Sequence, residues 1–326
     1  MKTLKSLAFI RSVLMVVSFV LFFTACSNPT GNGGNNPNHF HVANAQQWQE
    51  ARMAISNGGN DRSYIIDLVA DITVEGLNLD SVEILLGSDN FTFGGVTGVN
   101  VTIRGNHTIS LQNETTGMLL AIRQNQTVII QNTKFRGHGA NNNVLVHATD
   151  DSTLVMQGGS AIYGNTANSG INGGGMNFRR NANFTMRNNS SVHSNTANWG
   201  AFGGGVLFNS TGIFEMHDNS SVYGNTAIVP ATQSGRGAGV FFGSVYGTFH
   251  IVGGTVYGDT VVGNHPQTGV PLANTFTGGS GDGASLFLNG QQPIATYGSS
   301  NTPFEFPQVG VVRWISNTIT GAGIQP

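Results

Sequence analysis

Three stretches of this chain align without a gap: LVMQGGSAIYGNTA from Leu154, FTMRNNSSVHSNTA from Phe184 and FEMHDNSSVYGNTA from Phe214. A fourth stretch, FHIVGGTVYGDT from Phe249, aligns with one residue missing. The first three begin 30 residues apart, and a glycine-rich segment (GGGMNF, GGGVLF, GAGVFF or GDGASLF) lies downstream of each of the four. A fixed period of this length is typical of repeat proteins, in which each structural unit stacks on the next.

Each unit contains three short segments in which apolar and polar residues alternate, separated by glycine and asparagine. Alternation predicts strands with one buried face. Three strands in every unit of 30 residues, repeated in one direction, cannot be joined as hairpins. We therefore predict an all-β fold, a parallel β-helix with three strands per coil, in which like strands of successive coils stack roughly 4.8 Å apart.

The aligned columns predict which side chains stack from coil to coil. The apolar columns that begin at Leu154, Met156 and Ile162 are expected to form ladders inside the helix. A polar column is expected at a turn, because asparagine tolerates the left-handed conformation and its amide can bond to the next rung. The members of this polar column are Asn165, Asn195, Asn225 and Asp259.

The segments before and after the aligned repeats predict the ends of the same solenoid. VTIRGNHTISL, TVIIQNTKFRG and VLVHATDDSTLVM show the same alternation and are interpreted as earlier coils. Asn44 and Gln47 form a capping box that predicts a helix with Trp48, Ala51 and Ile55 on one face. The predicted parts of this single domain, 39–326, are an amino-terminal cap (39–60), the coils (61–300) and a carboxyl-terminal cap (301–326).

The amino terminus has the pattern of an export signal. Basic residues precede an apolar run from Val13 to Phe23, which is too short for a spanning helix of about 20 residues. Phe23-Thr24-Ala25-Cys26 resembles a bacterial lipobox, which implies that Cys26, the only cysteine, becomes the lipidated first residue. We predict a lipoprotein signal peptide at 1–25 and a flexible tether at 26–38; the alternative is an ordinary signal peptide beside an incidental cysteine.

The lipobox, the cap helix, the LVM…GNTA units and the GGGV strands resemble the repeat-rich, right-handed β-helix lipoproteins of spirochaetes. The GGGV and VYGNTA segments are also similar to the repeat of chlamydial polymorphic outer-membrane proteins, which pairs G-G-A-I with F-x-x-N. The phenylalanine position of that motif is here Ile162, Val192 or Val222. The resemblance implies a right-handed helix and a lipid-anchored outer-membrane protein with adhesive or scaffolding use. The cell surface and the periplasm are the two alternatives for its exposure.

Composition excludes several other classes of protein. The chain has 14 Lys+Arg and 16 Asp+Glu, and a net charge of −2 does not indicate the basic surface that nucleic-acid binding requires. Charged residues make up 9%, too few for the solvated face of a coiled coil. Hydrophobic residues make up 39%, enough to bury a core and to argue against disorder. The expected partners are a membrane, through the lipid anchor, and a glycan or an extracellular protein.

Many right-handed β-helices cleave polysaccharides as lyases or hydrolases. Such sites need two or three clustered carboxylates, so the position of the acidic residues decides whether catalysis is expected. The alignment places Glu215 on the outer face beside Thr185 and His250, with His217 beside Arg187. No second acid shares that column, so we expect binding without catalysis. A polysaccharide-active enzyme centred on Glu215, His217 and His250 is the first alternative, and a passive coat or spacer protein is the second.

The repeats lose their period at one corner, where extra residues fall around 228–235 and 261–280. Insertions on one edge of a solenoid often form its binding surface, and Trp199 and Phe202 of the preceding coil reach the same corner. We expect these two aromatics either to bind a ligand or to fold back as a small packed cluster. His39 and His41 lack further close ligands in the sequence, so neither a metal site nor a cofactor is expected.

Overall fold

A computed structural model describes residues 37–78, 90–168, 173–198, 202–243, 247–257, 262–282 and 286–288. Within these ranges the chain is all-β apart from one helix, α1 (Ala45–Ser56). Cys26, Trp199, Asp259 and the predicted cap at 301–326 lie outside the described residues. The lipidation of Cys26, the role of Trp199 and the closure of the carboxyl-terminal end therefore stay predictions.

The strands of the first coils are β1 (His39–Val42), β2 (Ser63–Leu68), β3 (Ile72–Val74), β4 (Asn100–Arg104), β5 (Thr108–Leu111), β6 (Leu120–Ile122), β7 (Thr127–Gln131), β8 (Lys134–Arg136) and β9 (Val146–Ala148). Those of the aligned repeats are β10 (Thr153–Gln157), β11 (Ala161–Tyr163), β12 (Thr166–Ala167), β13 (Met176–Phe178), β14 (Asn183–Met186), β15 (Ser191–His193), β16 (Thr196–Asn198), β17 (Val206–Phe208), β18 (Gly212–Met216), β19 (Ser221–Tyr223), β20 (Thr226–Arg236), β21 (Val240–Phe242), β22 (Gly247–Ile251), β23 (Thr255–Val256), β24 (Thr275–Asp282) and β25 (Leu286–Leu288).

These strands form four parallel sheets, each made of equivalent strands from successive coils. The first sheet has the order β1-β2-β4-β7-β10-β14-β18-β22, and the second has the order β3-β5-β8-β11-β15-β19-β23. The third sheet is β12-β16-β20-β24, and the fourth is β6-β9-β13-β17-β21-β25. Every strand thus pairs with the strand one coil away, which confirms the predicted parallel β-helix; its right-handedness stays a prediction.

The predicted apolar ladders lie inside the helix. Leu154 pairs with Phe184, Phe184 with Phe214, and Phe214 with Phe249, in the register that the alignment gave. The rings of Phe184 and Phe214 are stacked with their centroids 4.8 Å apart, and the rings of Phe214 and Phe249 repeat that distance. All four side chains are buried, so these in-register stacks form the centre of the core.

The aligned coils contain four strands rather than the predicted three. The cause is the asparagine corner, which bends the chain between β11 and β12, and again between β15 and β16. The single predicted segment IYGNTA is therefore two short strands, and its second half forms the third sheet. Among the described residues, the two coils β4–β6 and β7–β9 lack this extra strand and have the predicted count of three.

The predicted asparagine column is present as a buried ladder of hydrogen bonds. The amide of Asn195 donates to the side-chain oxygen of Asn225 at 3.1 Å, and that of Asn225 donates to Asn274 at 2.9 Å. Upstream, the amide of Asn141 donates to Asn165 at 2.8 Å. The position assigned to Asp259 is therefore occupied by Asn274. The sequence alignment missed the equivalence of Asn274 to Asn225 because residues 258–273 are inserted before Asn274. Directly after this insertion, β24 pairs with β20.

Helix α1 confirms the predicted amino-terminal element. The side-chain oxygen of Asn44 accepts the backbone N–H of Gln47 at 3.0 Å, which satisfies one free donor of the first turn. Trp48, Ala51 and Ile55 are buried in the main core, against β1 and β3. The role of this helix as a cap on the stack stays a prediction. No helix within the described ranges is long and apolar enough to span a membrane.

Candidate functional site

Glu215, His217 and His250 lie together on the outer face of the first sheet. Glu215 pairs with Thr185 of the preceding strand and with His250 of the following one, as the alignment predicted. The distance from His250 Nδ1 to Glu215 Oε1 is 3.3 Å, and that from His217 Nε2 to Glu215 Oε2 is 3.6 Å. This arrangement of one carboxylate between two partly exposed imidazoles can exchange a proton with a bound molecule.

Glycoside hydrolysis normally needs a second carboxyl group on the other side of the bond. Asp218, the acid nearest to Glu215 in the sequence, accepts the backbone N–H of Asn188 at 3.1 Å and belongs to the turn below. Asp259 and the side chain of Asp282 lie outside the described residues. The described part of the chain therefore places one carboxylate in this cluster, and an enzymatic role for it stays an alternative.

Phe202 lies in a small packed cluster at the corner where the repeats lose their period. Its ring stacks on that of Phe241 at 4.7 Å between centroids, and it also packs against Leu207. This is the packing that the sequence analysis gave as the alternative to ligand binding. The structure does not describe Trp199, so its predicted contact with a ligand is left open.

The two insertions follow different paths. The first is absorbed into β20, an 11-residue strand that pairs with β24 and whose register shifts between Val229 and Ser234. The second insertion includes residues 262–272, which fold over the outer face of the second sheet. Gly224 donates its N–H to the carbonyl of Leu272 at 3.2 Å and so attaches this segment to the sheet.

A stack of four rings runs across the outer face of the second sheet and into the second insertion. Tyr163, His193 and Tyr223 occupy one column of paired strands, with centroids 5.0 Å and 4.9 Å apart. The ring of His265 covers Tyr223 at 4.5 Å with an angle of 6° between the planes. Thr268 completes the contact, because its hydroxyl lies 3.1 Å from that of Tyr223. The insertion is therefore held in place by the repeat itself.

A groove of about 730 Å³ lies between this ring stack and the second insertion. Its floor is the neighbouring column of the same strands, in which Lys134, Ala161, Ser191 and Ser221 follow one another. Other polar side chains at its rim are Asn189, Asn219, Gln267 and Thr268. Among the described residues, the lining contains no carboxylate, and Lys134 is the one lining residue there with a permanent charge.

Burial shifts the pKa values of His193, Tyr223 and His265 in the stack towards their uncharged forms. Removal from water, together with the smaller effects of the nearby His265 and Lys134, lowers the pKa of His193 to about 4. Burial also lowers the pKa of His265 and raises that of Tyr223. The positive potential in the groove therefore comes from Lys134, while the rings offer apolar edges and neutral hydrogen-bonding groups.

A second group of ionisable residues lies at the opposite end of the first sheet. His39 Nε2 is 2.6 Å from Asp67 Oδ2, and His41 Nδ1 is 3.8 Å from the same oxygen. Arg104 donates to the other carboxylate oxygen of Asp67. Burial raises the pKa of Asp67, but hydrogen bonds from Arg104 and His39 outweigh it and hold this pKa below its ordinary value.

Sequence reasoning missed both the ring stack and Asp67, for different reasons. Tyr163, His193 and Tyr223 follow Ile162, Val192 and Val222 in the aligned repeats, so their column could have been found there. The stacking of His265 on this column could not have been found from the alignment, because His265 belongs to an insertion that has no equivalent in the other repeats. Asp67 has no counterpart in the repeats, and only the pairing of β1 with β2 shows that it meets the two histidines.

Comparison of this chain with protein-family models, with curated protein sequences and with solved structures gave no match.

Proposed function

We propose that this chain is a lipid-anchored protein of the bacterial cell envelope that binds an acidic oligosaccharide without cleaving it. The observation that carries this proposal is the groove between the second sheet and residues 262–272, whose described lining has one lysine and no carboxylate. The lipobox-like sequence that ends at Cys26 supports the anchoring, and the resemblance to spirochaete lipoproteins supports a place in the outer membrane.

The lining of the groove matches the chemistry of such a ligand. The hydroxyls of Ser191 and Ser221 and the amides of Asn189 and Asn219 can pair with the hydroxyl groups of successive sugar units. Lys134 can pair with a carboxylate or a sulfate, and none of the described lining residues is an acid that would repel that anion. The repeat spaces these groups at the regular interval of its strands, which suits a chain molecule better than a compact one.

Replacing Lys134 with glutamine is expected to weaken the binding of acidic oligosaccharides about tenfold, since one charge-assisted contact contributes about 1.4 kcal/mol. Lys134 is exposed, so the substitution leaves the fold intact. Arg62→Gln, which removes the same charge from an exposed residue that does not line the groove, is the matched control and is expected to bind normally. Calorimetric titration with uronate-bearing and neutral oligosaccharides of equal length measures both effects.

Two results would contradict binding at the groove: equal affinity of the Lys134→Gln and unmodified proteins, or equal loss in the Arg62→Gln control. Release of reducing ends from the same oligosaccharides, abolished by Glu215→Gln, would instead establish the alternative of a polysaccharide-active enzyme. Its centre would then be Glu215 with His217 and His250, the cluster in which one carboxylate contacts two imidazoles.

Protease treatment of intact source cells, followed by immunoblotting, tests the anchoring and the exposure. We expect residues 39–326 to be digested on intact cells and the Cys26→Ser variant to leave the membrane fraction, because the acyl chains are lost. Protection until the outer membrane is opened would place the solenoid in the periplasm and favour scaffolding. A Cys26→Ser variant that stays with the membrane would refute the lipid anchor.

A further inference from the structure

The edge strand of the first sheet brings two imidazoles to one carboxylate. His41 of β1 pairs with Asp67 of β2, and Asp67 pairs in turn with Arg104 of β4. His39 precedes His41 by two residues, so both histidines point to the same side of the strand as Asp67. Three potential metal ligands therefore meet on one outer face, contributed by two neighbouring strands.

The ligand atoms are close enough to share one ion. His39 Nε2 and His41 Nδ1 lie 2.6 Å and 3.8 Å from Asp67 Oδ2, and all three ligand atoms lie within 4.8 Å of one another. Two ligands bound to Zn²⁺ at about 2.0–2.1 Å in tetrahedral geometry are separated by roughly 3.3–3.4 Å. The two observed distances to Asp67 Oδ2 lie on either side of that value.

We propose that His39, His41 and Asp67 bind one Zn²⁺ ion, and that the ion fastens the edge strand β1 to β2. Imidazole nitrogen together with carboxylate oxygen is a ligand set that Zn²⁺ accepts, and three protein ligands leave the fourth position to water. Among the described strands, β1 is the terminal strand of its sheet and pairs with β2 alone. A bridging ion therefore adds a second attachment between β1 and its neighbour β2.

Arg104 serves as the outer partner of the proposed ligand Asp67. Its Nε donates to Oδ1, and one terminal nitrogen lies 3.4 Å from Oδ2. Hydrogen bonds of this kind orient a ligating carboxylate, and their loss typically weakens metal binding about 10- to 100-fold. Because Arg104 is bonded chiefly to Oδ1, Oδ2 remains the oxygen that faces the two histidines.

The first sheet also supplies an internal comparison. Glu215, His217 and His250 form a second cluster with the same residue types, but the two histidines approach different oxygens of Glu215. Among the described residues, only His39, His41 and Asp67 have three ligand atoms within 4.8 Å of one another. The proposal therefore predicts binding at the first cluster and none at the second.

Titration of the full-length chain, purified in detergent without a polyhistidine tag, with Zn²⁺ alone tests the proposal. We expect one ion per chain and a rise in Tm with Zn²⁺ concentration, because the ion binds the folded state only. His41→Ala, at a half-exposed position, is expected to weaken binding at least tenfold, and Asp67→Asn to do the same. His217→Ala is the matched control and is expected to bind like the unmodified protein.

The proposal fails if the unmodified chain shows no saturable binding of Zn²⁺ or no rise in Tm. It also fails if His41→Ala and Asp67→Asn both bind normally, or if His217→Ala loses as much affinity as they do. Circular dichroism of each variant before titration separates a lost ligand from a lost fold. Because the groove and this cluster lie on different sheets, the test is independent of oligosaccharide binding.

Discussion

Replacing Asn195 with alanine is expected to lower the free energy of unfolding by about 3 kcal/mol or more, because each unsatisfied buried group costs roughly 1–3 kcal/mol. Its fully buried amide donates to the carbonyl of Ile162 and to Asn225, both at 3.1 Å. Its side-chain oxygen accepts the backbone N–H of Asn165 at 3.2 Å. Alanine removes all three bonds, breaks the ladder between two coils and leaves a cavity. Calorimetric melting measures the loss.

Asn198→Ala is the matched control for this experiment. The amide of Asn198 also bonds to the equivalent residue one coil away, Asn168, at 3.1 Å, but the pair is partly exposed and water can replace the lost bond. Its expected cost is below about 1 kcal/mol. Equal losses in the two variants would mean that the buried asparagine ladder contributes no more than a surface pair, contrary to the account of the corner given above.

The second large effect is expected for Gly204→Ala, which should destabilise the fold by about 3 kcal/mol or prevent folding. Overpacking a core costs roughly 1–3 kcal/mol even where the neighbouring atoms can move. A Cβ at this position would lie 2.5 Å from the carbonyl oxygen of Ala238 and 2.6 Å from that of Thr226. Both are backbone atoms of the next coil, so neither can rotate away. Soluble yield and the midpoint of guanidinium unfolding measure the effect.

Gly139→Ala makes the same chemical change where a new Cβ meets nothing within 4 Å. Neither glycine has the left-handed backbone that penalises alanine, so the two variants differ only in space. The control is expected to be neutral, or more stable by about 0.4–1 kcal/mol through the reduced entropy of the unfolded chain. A Gly204→Ala protein as stable as the control would contradict the close approach of the two coils.

The architecture was predictable because equivalent side chains of neighbouring coils contact one another and must therefore be compatible. A residue that stacks on its equivalent in the next coil is repeated in the sequence, and the columns that begin at Leu154 and Asn165 show this directly. The fourth strand of each aligned coil was missed because the bend at the asparagine corner, first seen at Asn165, separates residues that alternate without interruption in the sequence. Asp259 was wrongly assigned to the polar column because an insertion hides the equivalence of Asn274 to Asn225.

The candidate sites were less predictable than the fold, since they depend on contacts that do not repeat. The groove forms where residues 262–272, a segment without an equivalent in the other repeats, fold over the column of Lys134, Ala161, Ser191 and Ser221. Asp67 meets His39 and His41 only through the pairing of β1 with β2, in a part of the chain whose sequence departs from the consensus. The pairing of Glu215 with His250, by contrast, was read from the alignment because both lie in aligned strands.

The exact spacing of 30 residues between Asn165, Asn195 and Asn225 has a consequence for how such a gene can change. Each of these coils presents the same asparagine to the coil above and to the coil below. Recombination between two neighbouring repeats would therefore remove or add thirty codons and create a junction chemically equivalent to the original ones. The protein would become shorter or taller by one rung, roughly 4.8 Å, while its two ends kept their own residues.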